Sequence, residues 1–269
     1  MSNQLTRIGT ALVAAPVFLA VAYWGGWPFA GLVILLALLG QWELYAMARR
    51  SGLRPRTIMG LALGLIVGLQ AIIPELGPVV IFGAILLVAA SPFIFPRERG
   101  LASLAVTLFG LLYPTALFAY LIRLRLAPGF GDFEAFLLLL LVLVLVWATD
   151  IFAYYVGKYT GRHKLAPTIS PKKTWEGSIG GLVAAVGVAV AFQVGVSDML
   201  RWLDVLVLAG LCGGVSQLGD LAASQMKRAT GVKDSGTLLP GHGGILDRFD
   251  ALLIAAPLAY LYLELVVGG

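Results

Sequence analysis

The chain has 269 residues, of which 59% are hydrophobic and only 12% are charged. Soluble domains typically carry about 25% charged residues, so this composition excludes a protein whose whole surface faces water. The high apolar content equally excludes an intrinsically disordered chain. The single cysteine, Cys212, excludes an intrachain disulfide and is predicted to be a small core residue. We interpret the net charge of +5 as a signal of topology and of anionic lipid or phosphate binding, and expect no nucleic acid partner.

Apolar runs fill the whole chain. A spanning helix needs about 20 largely apolar residues, and the sequence predicts about nine such helices, at 8–24, 28–47, 57–73, 78–95, 101–122, 133–156, 177–196, 203–222 and 245–267. No polar linker interrupts them, so we expect an all-α, polytopic integral membrane protein with a single membrane domain over 1–269. The alternative for the first run is a cleaved signal peptide, but only further apolar runs follow it.

The basic residues predict the orientation of these spans. With nine spans, all but three of the 19 lysines and arginines lie on the N-terminal side, the exceptions being Arg123, Arg125 and Arg201. Basic residues favour the cytoplasmic side, so we predict a cytoplasmic N-terminus. The short loops and the lack of a transit peptide favour a multi-pass protein of the bacterial inner (plasma) membrane.

Acidic residues collect at one depth of the predicted membrane. Charges are costly inside a bilayer, and the predicted cytoplasmic ends of the last four spans carry Asp150, Glu176, Asp220, Asp247 and Asp250. This placement favours an enzyme that meets a lipid headgroup and a soluble cosubstrate, since a transporter site would lie near the midplane. We therefore predict scaffold spans over 1–132 and a catalytic half over 133–269, with the active site facing the cytoplasm.

The remaining acids have simpler interpretations. Glu43 lies near the end of the second span, where we expect an interfacial or helix-packing role rather than a catalytic one. Five further acids fall at or near the predicted outer face and are expected to be solvated; they are Glu75, Asp132, Asp198, Asp204 and Glu264.

A first polar segment connects the sixth and seventh spans and includes Ser170 to Gly177. Its adjacent lysines, Lys172 and Lys173, precede a helix start for which Thr174 is a candidate N-cap. Helix N-termini attract phosphate through free N–H groups and the helix dipole. The alternative is that these lysines are only an inside-positive flank of the span.

A second polar segment connects the eighth and ninth spans. On a helix, Asp220, Ser224 and Lys227 share one face. Lys233, Asp234 and a flexible Ser235–Gly236 pair follow, and the last span opens with Asp247, Arg248 and Asp250. Clustered carboxylates beside lysines and arginines suit a hydrated Mg²⁺ that holds a polyphosphate. The pattern therefore predicts phosphoryl or nucleotidyl chemistry.

A glycine-rich turn lies within this second segment. Gly243 and Gly244 would let the backbone approach a ligand closely. His242 is either a general base or a structural residue of the turn, and an attacking phosphate, already largely ionised, needs no base. The sequence has neither a P-loop nor a Rossmann fingerprint, and no Cys/His cluster suggests zinc.

The stretch from Ser224 to Asp250 resembles the signature of the phosphatidate cytidylyltransferases, or CDP-diacylglycerol synthases. It contains Ser-Gln-Met-Lys-Arg at 224–228, Lys-Asp at 233–234, His-Gly-Gly at 242–244 and Asp-Arg-Phe-Asp at 247–250, without departure from the signature. The Ser170–Gly177 stretch is also similar to the family. The close match covers about the last 120 residues, and the first five spans fit only by hydropathy.

The resemblance implies a homodimeric, Mg²⁺-dependent enzyme with CTP and phosphatidate as substrates, and it leaves a second cation open. It implies metal ligands at Asp220 and Asp247, with Asp150 in support, and further catalytic residues at Lys227, Arg228 and Asp250. It implies substrate contacts from the following residues: Lys172, Lys173, Ser224, Lys233, Asp234, His242, Gly243, Gly244 and Arg248.

The expected reaction is attack of a phosphatidate oxygen on the α-phosphorus of CTP, giving CDP-diacylglycerol and pyrophosphate. Three other interpretations explain less. A CDP-alcohol phosphotransferase needs a spaced acidic motif that the sequence lacks. A secondary transporter needs ionisable groups near the midplane. A non-catalytic lipid-binding scaffold accounts for the lysines and leaves the acids without a role.

Overall fold

The computed structural model describes residues 3–94, 100–238, 241 and 243–267. Its helices are α1 Asn3–Trp24, α2 Gly26–Arg50, α3 Thr57–Leu69, α4 Gly77–Ala89, α5 Ser91–Ile94, α6 Gly100–Gly110, α7 Leu117–Arg125, α8 Asp132–Thr160, α9 Trp175–Gly195, α10 Trp202–Ala229 and α11 Leu246–Tyr262. A 3₁₀ turn at Pro74–Leu76 precedes α4. The π-helical segment Leu111–Ala116 joins α6 to α7, and a second one, Leu263–Val267, follows α11.

Six helical stretches of the described residues are long and apolar enough to cross a membrane. They are Gly26–Arg50, Gly100–Arg125, Asp132–Thr160, Trp175–Gly195, Trp202–Ala229 and Leu246–Val267. The other three predicted spans coincide with shorter apolar helices at Leu12–Trp24, Thr57–Leu69 and Pro74–Ala89. A 13-residue helix such as α3 is about 20 Å long, less than the hydrocarbon core of about 30 Å. The predicted helical membrane fold is confirmed, and the count of nine spans stays a prediction.

The chain divides into two compact units, each built from two separate parts of the sequence. Unit 1 comprises Met1–Arg123 and Lys227–Arg248, and unit 2 comprises Leu124–Met226 and Phe249–Gly269. The second polar segment after Met226 therefore belongs to the same compact unit as the N-terminal helices.

A buried polar network holds the helices of unit 1 together. The Gln41 amide nitrogen donates to the Gly60 carbonyl and to the Tyr45 hydroxyl, both at 2.8 Å. Tyr45 in turn donates to the Thr107 carbonyl at 2.6 Å, and Thr115 donates to the Gln41 amide oxygen at 3.0 Å. In surroundings without water, such groups must find partners inside the protein. The network therefore fixes α2 against α3 and the α6–π region.

Small residues let α8 and α9 of unit 2 approach closely. Gly177 and Gly181 are four residues apart on α9, and a Cβ at either position would collide with α8, at the carbonyl oxygens of Ala153 and Thr149 respectively. This spacing is the small-xxx-small pattern of membrane helix packing. Cys212 is fully buried in the same unit, as predicted.

The prediction that Asp204 is solvated is wrong, because its side chain is buried. Arg201 donates to both of its carboxylate oxygens, at 2.8 and 3.0 Å, and the Tyr262 hydroxyl donates to it at 2.8 Å. A bidentate arginine and a phenol replace the water that a buried carboxylate loses. Arg201 lies only three residues before Asp204, but Tyr262 is 58 residues away, and the sequence pattern gave no sign of that third partner or of the burial.

The helix packing in unit 2 gives a testable prediction. Gly181→Ala should lower the free energy of unfolding by about 1–3 kcal/mol, because the added methyl group overpacks the contact with Thr149. Gly187 lies on the same helix, and a Cβ added there would have no neighbouring heavy atom within 4 Å, so Gly187→Ala is the matched control. Alanine should be neutral or slightly stabilising there. Thermal unfolding of both purified variants in detergent would test this, and equal melting temperatures would contradict it.

Candidate active site

A short hairpin places the first pair of lysines. Strands β1 (Lys164–Ala166) and β2 (Ser170–Thr174) are antiparallel, with Lys164 paired to Thr174. The hairpin is an addition to the predicted all-α fold. Thr174 ends β2 and caps α9, its hydroxyl oxygen accepting from the Gly177 N–H at 3.2 Å. The predicted N-cap is thus confirmed, and it fixes the two lysines directly before the helix start.

Adjacent residues of a strand point to opposite faces, and the two lysines differ accordingly. Lys172 is exposed, whereas Lys173 forms an ion pair with Asp220 of α10 at 2.6 Å. The side chains of Lys173 and Asp220 are 24% and 31% exposed. Ser224 donates to the other Asp220 oxygen at 3.3 Å, which confirms the predicted shared face of Asp220 and Ser224. We call Lys173, Asp220 and Ser224 the Asp220 cluster; it belongs to unit 2.

A second cluster belongs to unit 1 and centres on Asp247, in the first turn of α11. Lys227 donates to its Oδ1 atom at 2.7 Å. Its Oδ2 atom accepts from the Ser235 N–H at 2.8 Å, the Ser235 hydroxyl at 3.0 Å and the Gly244 N–H at 2.9 Å. Three donors thus lie within hydrogen-bond distance of Oδ2 and one of Oδ1, and because an oxygen accepts about two hydrogen bonds, Oδ2 is fully used. We call Lys227, Ser235, Gly244 and Asp247 the Asp247 cluster.

Gly243 and Gly244 let the backbone approach side chains of the protein itself, which the sequence did not predict. A Cβ on Gly243, whose φ is +85°, would meet Asp247 Oδ2 at 2.7 Å. A Cβ on Gly244 would collide with the Ser235 hydroxyl and the Glu43 carboxylate. The close approach that these glycines permit is therefore to the protein's own carboxylates. Ser235, expected to be flexible, is instead buried and hydrogen-bonded.

The other predicted site residues lie outside these two clusters. Arg228 is exposed and donates to the Val232 carbonyl at 3.0 Å. The Asp250 carboxylate accepts from the N–H of Ala251 at 2.8 Å. His242 lies outside the described residues. The following predicted residues are exposed or partly exposed: Asp150, Lys233, Asp234 and Arg248.

Glu43 contacts the candidate site, although the sequence predicted only an interfacial or helix-packing role for it. It lies on α2, is 1% exposed, and accepts hydrogen bonds from Ser235, Ile245 and Leu246. The expectation of a packing role rather than a catalytic contact fits this position, but the packing is against the second polar segment itself. A charged residue inside an apolar membrane span costs free energy and is usually functional. The position of Glu43 near the end of the second span was therefore the signal that could have identified it.

The carboxylates suit Mg²⁺ in their donor chemistry, since the ion prefers oxygen ligands. Among the described residues, no three His, Cys, Asp or Glu side chains come together as a ready-made metal cage. Asp220 is the more open of the two main candidates, because its Oδ1 receives only the Ser224 hydroxyl. Oδ1 of Asp247 is already occupied by the Lys227 ammonium group. The arrangement fits an ion that binds with few protein ligands and with phosphate oxygens.

The fold and the two clusters define a helical membrane protein with ion-paired lysines and aspartates at helix ends. The chain belongs to the Cytidylyltransferase family, whose family model matches residues 5–266. It is similar to a phosphatidate cytidylyltransferase of Synechocystis, with 36% identity over 97% of each chain. A Brucella abortus protein of the same name is 39% identical over 97% of this chain and 94% of its own. One from Bacillus subtilis is 34% identical over 98% and 99%.

The two lysine–aspartate pairs should contribute differently to stability. Lys227→Met leaves Asp247, whose side chain is only 5% exposed, without its ammonium partner. Breaking a buried pair from one side costs about 3 kcal/mol. Lys173→Met leaves Asp220, which is 31% exposed and can be solvated, at a cost of about 1 kcal/mol or less. Thermal unfolding in detergent should therefore show the larger loss for Lys227→Met. The reverse order would contradict the burial difference between the two pairs.

Proposed function

We propose that this chain transfers CMP from CTP to phosphatidate, giving CDP-diacylglycerol and pyrophosphate, as a step of phospholipid biosynthesis. The observation that carries the proposal is that both ion-paired clusters form at or beside the stretch resembling the family signature, around Asp220, Ser224, Lys227 and Asp247. The near-full-length similarity to phosphatidate cytidylyltransferases supports the same substrates.

The chemistry is an exchange of one P–O bond for another. A phosphate oxygen of phosphatidate forms a bond to the α-phosphorus of CTP. The bond from this phosphorus to the oxygen that bridges to the β-phosphate breaks, and pyrophosphate leaves with the electron pair. Such transfers are catalysed mainly by positioning and by electrostatic stabilisation of the spreading negative charge. The protein therefore needs cationic groups held in fixed places.

The lysines supply such charge in held positions. The Lys173 ammonium group has three N–H donors; Asp220 accepts one at 2.6 Å and the Gln217 carbonyl a long one at 3.5 Å. We propose that phosphate oxygens take the remaining donor, while Asp220 keeps the side chain oriented. Lys172 is exposed directly beside it and adds charge without a fixed orientation. Lys227 is oriented in the same way by Asp247.

Mg²⁺ dependence is part of the proposal. Asp220 and Asp247 are the candidate ligands, with Asp150 in support, and a second cation remains an expectation. When bound, the ion would neutralise polyphosphate charge and polarise the reacting phosphate. Asp220 could bind it without losing Lys173, because one of its oxygens receives only the Ser224 hydroxyl. Asp247 would do so more readily if Lys227, whose positive charge repels a cation, gave up Oδ1, for which a bound phosphate would offer the ammonium group a new partner.

The test of this function is pyrophosphate release by the purified protein in detergent. We expect release only when CTP, phosphatidate and Mg²⁺ are all present, with ATP or GTP in place of CTP giving little. Asp220→Asn should lower the rate by about 100-fold or more, because the amide neither orients Lys173 nor holds a cation well. Its melting temperature should stay close to that of the wild type, because Asp220 is partly solvated.

Asp198→Asn is the matched control for that variant. Asp198 is exposed in the connection before α10 and forms no described ion pair, so its amide should leave the rate unchanged. Full activity of Asp220→Asn would remove Asp220 from the proposed site. Release without lipid would point to nucleotide hydrolysis instead of transfer.

We also propose the finer topology: nine spans, a cytoplasmic N-terminus, an inner-membrane location with the active site on the cytoplasmic side, and a homodimer. Because Cys212 is fully buried, introduced cysteines can be labelled selectively. Thr168→Cys in the hairpin should react with a membrane-impermeant maleimide only after the cells are opened. Asp198→Cys should react in intact spheroplasts. The opposite labelling pattern would show the opposite orientation. If both cysteines reacted from the same side of the membrane, helix α9 between them would not be a span.

A further inference from the structure

Glu43 is a carboxylate buried on a helix that the proposed mechanism does not use. Its side chain lies on α2 and is only 1% exposed. Burying a carboxylate is costly unless hydrogen bonds or opposite charge compensate it. Among the described residues, no lysine, arginine or histidine lies within ion-pair distance of it. The compensation must therefore come from the three hydrogen bonds that Glu43 accepts.

Two of these hydrogen bonds come from the start of α11. Glu43 Oε1 accepts from the Ile245 N–H at 2.9 Å, and Oε2 accepts from the Leu246 N–H at 3.0 Å. The first N–H groups of a helix have no partner within the helix, and this end of the helix dipole is positive. Glu43 thus caps α11 from a position about 200 residues earlier in the chain.

The third hydrogen bond ties Glu43 to the Asp247 cluster. The Ser235 hydroxyl lies 2.9 Å from Glu43 Oε2 and 3.0 Å from Asp247 Oδ2. A hydroxyl group has one proton, so the two carboxylates share a single donor. Moving either carboxylate must therefore disturb the other. Through this hydroxyl, Glu43 is coupled to the aspartate that orients Lys227.

Two glycines leave the space that this arrangement needs. A Cβ on Gly236 or on Gly244 would collide with the Glu43 carboxylate. Two described parts of segment 235–246 therefore enclose Glu43: Ser235 and Gly236 on one side, and Gly244 to Leu246 on the other.

We propose that Glu43 is a positioning residue of the active site, whose buried carboxylate clamps the two ends of segment 235–246 and, through Ser235, fixes the Lys227–Asp247 pair. The catalytic part of this inference rests on the proposed function. Glu43 itself contacts no substrate. It sets where Asp247 and Lys227 stand, and a displacement of about 1 Å in such groups can cost about 100-fold in rate.

The decisive variant is Glu43→Gln, which keeps the shape and removes the charge. Its amide nitrogen must face either Ile245 N–H or Leu246 N–H, so one cap bond is replaced by a contact between two donors. We expect kcat/KM for CTP to fall by about 10- to 100-fold. We expect amide hydrogen exchange in segment 235–246 to accelerate by at least about tenfold, because its anchoring bonds weaken.

Gln41→Leu is the matched control. Gln41 lies on the same helix, is fully buried, and makes its hydrogen bonds to Tyr45, Gly60 and Thr115, away from segment 235–246. Its loss should lower the melting temperature, but kcat/KM of the folded protein should stay within about twofold of the wild type. Exchange in segment 235–246 should be unchanged. The pair of variants separates positioning from general destabilisation.

Ser235→Ala is a second variant in case Glu43→Gln does not fold. It removes the shared hydroxyl and keeps both cap bonds, so we expect a smaller fall in kcat/KM, of about three- to tenfold. Unchanged kcat/KM and unchanged exchange in both variants would overturn the clamp. If the wild type itself released no pyrophosphate, the proposed function would fail, whereas the exchange of segment 235–246 would still support or overturn the clamp.

Discussion

At the two ends of segment 235–246, two carboxylates accept the backbone hydrogen bonds that water would accept on an exposed protein surface. Glu43 and Asp247 together accept the N–H groups of Ser235, Gly244, Ile245 and Leu246. These four residues are buried, and unpaired buried backbone groups are expensive, so their N–H groups need acceptors inside the protein. The position of Lys227 follows from this, because its ammonium group pairs with one of the same two acids.

The Asp220 cluster holds its lysine in a similar way. Thr174 caps α9 and ends the hairpin, so Lys173 emerges at a fixed point and meets Asp220. Each lysine is thus held by an aspartate instead of moving freely. A transferase that works by positioning and electrostatics needs charge of this kind, because groups held before the reaction need not be reorganised during it.

The parts of the fold and of the candidate site that depend on residues close together in the chain were predictable from the sequence. Hydropathy located the apolar helices, and helical periodicity placed Ser224 beside Asp220. The N-cap at Thr174 followed from residue type and position. These features depend on neighbours a few residues apart, which a sequence pattern records.

The features that the sequence did not predict depend on distant partners. Ser235 meets Glu43 across 192 residues, and Tyr262 donates to the buried Asp204 across 58 residues. The division into scaffold and catalytic halves remains a prediction, but Glu43 shows that a helix of the expected scaffold half contacts the signature segment.

In the proposed reaction the α-phosphorus of CTP is the atom attacked. The most direct measurement follows the label from CTP carrying radioactive phosphorus at either the α or the γ position, with phosphatidate, Mg²⁺ and the purified protein. We expect α-label to enter the organic-extractable lipid and γ-label to appear in aqueous pyrophosphate. Transfer of γ-label to the lipid would show a phosphoryl transfer of the kinase type. Label that stays in the aqueous phase from both positions would show hydrolysis or no reaction, and either result would contradict the proposed transfer of CMP.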